Sequence, residues 1–172
     1  MKDLTNHKNK NDLKESNRQF EVLLKICLII GILIVSGFIV YYILTPEPGY
    51  VTFGILNKDK KAENYPTRAN VNETIPFYLS VGNYLKRDFA FQVRVKNGNN
   101  ETYMSSIGSN GTLEFIIGNI TLDHKGNWIS EQLNISFSQL GDNQKIIAEL
   151  WQIKNNEVEF YNILWIRLNV SN

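Results

Sequence analysis

"DFAFQVRVK" (residues 88–96) places Phe89, Phe91, Val93 and Val95 on one side of an extended chain and Ala90, Gln92, Arg94 and Lys96 on the other. Successive side chains of a strand point to opposite faces, so this alternation specifies a strand with one face in an apolar core and one toward water. The same period recurs on both sides of it. "TIPFYLSVG" (74–82) aligns Ile75, Phe77, Leu79 and Val81, and "QLNISFS" (132–138) aligns Leu133, Ile135 and Phe137. Runs of similar character occupy 50–56, 101–105, 112–122, 145–153 and 160–170. Between them stand "NGNN" (97–100), "GSNG" (108–111), "GDNQ" (141–144) and "KNNE" (154–157), all residue types that enter turns at little cost. No sustained helical period follows residue 50. About seven or eight short strands at this spacing predict an all-β domain over 50–172, an immunoglobulin- or fibronectin-like β-sandwich.

Toward the N-terminus the pattern changes. "ICLIIGILIVSGFIVYYIL" (26–44) has no charged residue over nineteen positions. As a helix it is roughly 30 Å long, the thickness of a bilayer's hydrocarbon core. A single transmembrane α-helix is therefore expected over 21–45, with Tyr41, Tyr42 and Tyr50 at its outer interface. Lys2, Lys8, Lys10, Lys14, Arg18 and Lys25 precede it, whereas the first cation after it is Lys58. Cations stay inside, so residues 1–20 are expected as a flexible cytoplasmic tail and the β domain outside the cell membrane. A cleaved signal peptide competes with this reading, but the apolar run exceeds a usual signal core and no small-residue cleavage site follows it. A pilin-type leader would need a Gly before Phe20, and Gln19 stands there. Thr45 to Gly49 carries two prolines, which predicts a stiff connector over 46–49.

Composition narrows the chemistry. A net charge of +1 gives no basic patch for nucleic acid, and the single cysteine, Cys27, permits no internal disulfide. Of the two histidines, His7 lies in the tail and His124 in "LDHKGNW", a solvated turn. No phosphate loop, nucleophile elbow, calcium loop or zinc spacing occurs. The expectation is a protein without catalytic residues, cofactor or metal. The outer segment does carry a modification signal. Residues 46–172 contain eighteen Asn and fourteen Ser or Thr. Random order would give about two Asn-x-Ser/Thr acceptor triplets. Six are present, at Asn72, Asn100, Asn110, Asn119, Asn134 and Asn169, and the four Asn of the tail give none. Strands place i and i+2 on one face, which raises the chance expectation, yet an excess remains. These six are the expected sites of N-linked glycans.

A second surface feature lies near the C-terminus. Leu164, Ile166, Leu168 and Val170 keep the inward alternation, which leaves Ile163 and Trp165 on the opposite face. If 145–153 and 160–170 form a hairpin, Ile147, Trp151 and Ile153 could lie beside them. Trp151, Ile163 and Trp165 are thus candidate residues for binding a partner, an envelope or membrane protein. The competing expectation is that the 57–73 loop, with Tyr65 and Pro66, covers this patch and makes it core.

"YVTFGILNKDKKAENYPT" (50–67) resembles the opening of the outer domain in the archaeal domain-of-unknown-function 1616 family. "LSVGNYLKRDFAFQVRVKNG" (79–98), with its Asn-centred turn, is similar to the family's next hairpin, and "GNWISEQLNISF" (126–137) and "FYNILWIRLNV" (160–170) to its later strands. The resemblance covers 50–172 and implies an immunoglobulin- or fibronectin-like domain outside an archaeal cell, with no established catalytic residues. Many members carry several membrane helices before this domain, where this chain has one. The resulting expectation is a membrane-anchored, N-glycosylated surface module with a structural or protein-binding role. The alternative is an accessory, non-catalytic subunit of a surface glycosylation or protein-processing complex.

Overall fold

The computed structural model describes residues 3–45 and 48–172, with side chains from Glu15 onward. The chain divides into two compact units, Met1–Glu47 and Pro48–Asn172. In the first, helix α1 runs Asp3–Leu44, and its part Glu15–Leu44 is long and apolar enough to cross a membrane. The polar stretch expected as a separate tail is helical from Asp3. No Gly or Pro occurs before Gly31, and a helix already nucleated by its apolar part extends one residue at a time without a new nucleus. Thr45 closes the last turn, donating to the Tyr41 carbonyl from both its N–H (2.9 Å) and its hydroxyl (2.7 Å). Met1 and Lys2 of the tail and Pro46 and Glu47 of the connector lie outside the described residues.

The second unit is a β-sandwich of eleven strands: β1 (Val51–Leu56), β2 (Arg68–Asn70), β3 (Ile75–Asn83), β4 (Phe89–Gly98), β5 (Met104–Ser105), β6 (Gly108–Ser109), β7 (Thr112–Leu122), β8 (Asn127–Ile129), β9 (Leu133–Ile135), β10 (Gly141–Lys154) and β11 (Glu157–Ser171). In one sheet β3 is central, with β1 along one edge and β8 and β9 along the other. The second sheet has the order β2-β11-β10-β4-β7, antiparallel except for the short β2–β11 pair. β5 and β6 form a small separate hairpin. The predicted alternation is what fills the core. Phe89, Phe91, Val93 and Val95 of β4 are buried, as are Ile75, Phe77, Leu79 and Val81 of β3 and Ile166, Leu168 and Val170 of β11.

The turn residues behave as their chemistry requires. Asn155 and Asn156 both have positive φ (53° and 66°), which a two-residue turn of the primed type needs to match the twist of β10 and β11. "GDNQ" is a correction: it is the start of β10, where a register shift between Gly141 and Gln144 absorbs Asn143 at φ 56°. β2, β6 and β8 are two or three residues each, too short for a period to announce them.

Two buried asparagines fix the loops. Asn83 donates from Nδ2 to the carbonyls of Arg87 and Leu122, both at 2.7 Å, and accepts at Oδ1 from the Leu85 N–H at 3.0 Å. Asn57 donates to the Glu63 carbonyl and accepts from the N–H groups of Asp59 and Lys61. Tyr65 packs against the core and donates its hydroxyl to the Ile55 carbonyl at 2.6 Å. These bonds tie residues 57–65 to the end of β1.

Candidate functional site

The outward face of the five-stranded sheet departs from an ordinary solvated surface. Alternate residues of β10 point away from the core, yet Lys145, Ile147 and Glu149 are as buried as Ile146, Ala148 and Leu150 beside them. The cover is the excursion 99–111, which carries β5 and β6 back over this face. Its anchor is Glu149, 0% exposed. Oε1 accepts from the Ser109 N–H (2.6 Å) and the Ser109 hydroxyl (2.7 Å) and pairs with Lys96 Nζ at 2.9 Å. Oε2 accepts from Trp151 Nε1 at 3.0 Å. Lys96 also donates to the Ser109 carbonyl at 2.7 Å, and Lys145 Nζ to the carbonyl of Asn99. Gly108, at φ 110°, is required here. A Cβ at that position would stand 3.2 Å from Glu149 Oε1 and 3.3 Å from the Trp151 ring, in a conformation L side chains avoid. The expectation that the 57–73 loop covers this surface is therefore overturned: Asn57 and Tyr65 bind its first part to β1, and residues 68–70 lie at the sheet edge as β2 beside β11.

The electrostatics follow from enclosure. Burial alone pushes the Glu149 carboxyl up, but the hydrogen bonds from Lys96, Ser109 and Trp151 favour the charged form and outweigh it, leaving the group below its ordinary value. Lys145 is pulled down, first by burial and then by neighbouring Arg167. Burial raises the Tyr65 phenol. Both oxygens of Glu149 are engaged and the side chain is closed to solvent, so the carboxylate fastens the hairpin.

The candidate partner residues lie along the same face. β10 and β11 do pair as a hairpin, with Ile147 opposite Trp165 and Glu149 opposite Ile163. A register shift beside Leu150 leaves Tyr161 unpaired and sets Trp151 opposite Phe160 instead. Trp151 meets Phe160 edge-on at 5.5 Å, and the Arg94 guanidinium lies 4.0 Å over its ring. The row therefore has a carboxylate in its middle. Trp151 and Ile163 are half-buried, and Trp165 is 40% exposed. Sequence reasoning missed Glu149 because its partner Ser109 is forty residues away.

All six acceptor asparagines are exposed. Asn72 lies in the turn after β2, Asn100 in the turn after β4, Asn110 just before β7, Asn119 within β7, Asn134 in β9 and Asn169 in β11. Asn72 (φ 64°) and Asn119 (φ 57°) take the left-handed conformation that Asn tolerates, which by itself accounts for Asn there. It does not account for Thr74 and Thr121, which are exposed two residues on. His124 accepts from the Lys86 N–H at 3.1 Å in an exposed turn. Among the described residues no three His, Cys, Asp or Glu side chains converge as metal ligands.

No family model matches the chain, and no curated protein matches it. Among solved structures, the chain is similar to the CARDB domain of a Pyrococcus furiosus protein, crystallised in complex with di-metal ions. Identity is 20% and the TM-score 0.46, over 74% of this chain and 93% of that one. The soluble domain of PmoD from a Methylocystis species matches at 11% identity and a TM-score of 0.38, over 74% of this chain and 95% of that one. A Listeria innocua β-glucosidase matches at 9% identity and a TM-score of 0.44; the likeness takes in 71% of this chain but 16% of the enzyme. Likeness this distant says nothing of activity, and the sandwich described above rests on its own strand order and core.

Proposed function

We propose that this chain is a single-pass membrane protein, with its N-terminus in the cytoplasm, that displays an N-glycosylated β-sandwich outside an archaeal cell. It serves there as a structural or protein-binding module of an envelope or membrane complex. The observation that carries the reading is that every acceptor asparagine is exposed on a sandwich preceded by an apolar helix with its cations on the N-terminal side. The two buried asparagines of the sandwich, Asn57 and Asn83, are not acceptors, so none of the six is closed to a transferase by burial. The resemblance of residues 50–172 to the archaeal domain-of-unknown-function 1616 family supports the cellular setting. The half-exposed Trp165 supports a docking role.

Topology and modification are tested together. Protease added to intact cells digests the β domain and spares an N-terminal tag; loss of the tag with retention of the domain overturns the orientation. Glycopeptide mass spectrometry on native material then finds sugar most fully at Asn100 and Asn110, whose turns present the amide to a transferase. Bare asparagines at all six positions would remove the glycoprotein reading.

A further inference from the structure

Three of the six acceptor triplets converge on one cleft. It has a volume of about 570 Å³ and lies where the end of β4, the start of β7 and the segment after β9 meet. Thr102 of the Asn100 triplet, Asn110 and Thr112 of the next, and Ser136 of the Asn134 triplet all line it. The rest of the lining is mostly amide and carboxylate, including Asn97, Gln139, Gln144, Glu101 and Glu114, with Phe137 at its back and no Lys, Arg or His among the lining residues. Such a wall repels phosphate and sulfate, and with Phe137, 6% exposed, as its one large apolar side chain it gives a lipid or aromatic ligand little apolar surface. It suits a neutral polyhydroxyl compound that donates and accepts hydrogen bonds at many points. Asn97 is held at the wall through its Nδ2, which donates to Glu114 at 2.7 Å, while its Oδ1 is buried without a hydrogen-bond partner. Asn110 is oriented as well, its Oδ1 accepting from the Tyr103 N–H at 2.9 Å.

We propose that this cleft seats saccharide, and that its occupant is the proximal part of the glycan on Asn110. The proposal rests on the glycosylation reading above. No exposed aromatic ring lines the cleft for a sugar to stack on, so a free saccharide binds weakly. A sugar bonded to Asn110 is presented at an effective concentration in the millimolar range, which fills a weak site. The chain thereby packs its own glycan against residues 97–102 and 136–139.

The test uses the full chain in detergent, from its native host and from a host without oligosaccharyl transferase, with Thr112→Ala to delete the triplet and Thr121→Ala, at the other end of β7, as a control. Hydrogen exchange is read over 97–102 and 136–139, and glycopeptide mass spectrometry reports occupancy. Exchange there is expected to be about tenfold slower in native glycosylated chain than in native Thr112→Ala, a difference absent from the sugar-free host and not produced by Thr121→Ala. A glycosylated Asn110 with unchanged exchange overturns the seat while leaving the glycoprotein reading intact. A bare Asn110 overturns the seat too, and the other five sites then decide the glycoprotein reading separately. Methyl α-mannoside and lactose at tens of millimolar, added to sugar-free chain, give little protection. Strong protection by either assigns the cleft to a neighbour's saccharide and overturns the tethered occupant.

Discussion

Strand β10 is buried on both faces by different physics. Inward, Ile146, Ala148 and Leu150 meet the apolar side chains of the facing sheet. Outward, Ile147 is flanked by Lys145 and Glu149, which are enclosed by directed bonds to Asn99, Ser109 and Lys96. Apolar packing is non-directional and indifferent to pH, and it depends on shape and volume. The polar face depends on every partner being present in the right charge state, since a buried group left unpaired is costly. The inner face therefore makes the fold, and the outer face decides whether the 99–111 excursion lies down upon it.

Substitutions at four positions would break or sharpen that contrast. All three tryptophans, Trp128, Trp151 and Trp165, lie in the sandwich, so fluorescence during denaturant unfolding of the whole chain reports on that unit alone. The largest effect is expected from Phe91→Ala, which empties a fully buried site packed edge-on against Trp128 at 5.7 Å. It should lower stability by about 3–5 kcal/mol. A loss below about 1 kcal/mol would mean that the inner face is not the source of stability.

Glu149→Ala comes next, at about 3 kcal/mol, the low end for one half of a buried pair, because the Lys96 side chain keeps 13% exposure and its bond to Ser109. This variant carries a pH signature that Phe91→Ala lacks. The folded Glu149 carboxyl sits below its unfolded value, so its contribution is fully present above the ordinary glutamate range near about 4.3 and is lost as pH falls through the folded value. Unfolding free energy measured from pH 7 down to pH 3 should fall less steeply in Glu149→Gln than in the parent. Parallel curves would show that folding does not lower the titration of this carboxyl.

Trp165→Ala should cost about 1–2 kcal/mol, reflecting partial burial, while reducing co-purification of an envelope or membrane partner from native detergent extracts. A loss as large as that of Phe91→Ala would make Trp165 core and remove it as a docking residue. The smallest change is Ser109→Ala. It deletes one 2.7 Å hydroxyl bond and retains the backbone one, for about 1 kcal/mol. Proteolysis within 99–111 should nonetheless rise, because this bond fastens the excursion locally. Unaltered cleavage would mean that Lys96 and Lys145 hold it without Ser109.

By itself the sequence determined what local periodicity encodes. Nineteen charge-free residues specify an apolar helix, and "DFAFQVRVK" specifies a strand and the face of it that enters the core, because side-chain direction repeats every two residues whatever the chain does elsewhere. The paired asparagines of "KNNE" announced their hairpin for the same reason, since positive φ is a property of the residue and its turn. Only the tertiary structure decided what covers the outward face. Lys145, Gln144 and Asn143 read alike as surface residues, and Glu149 reads as a solvent-facing charge, until Ser109 arrives from forty positions away. It likewise tied residues 57–65 to β1 through Asn57 and Tyr65, set 68–70 beside β11, and gathered Thr102, Asn110 and Ser136 around one cleft. These are matters of long-range placement, set by how the sheets stack and where the loops return, and no local pattern carries that information.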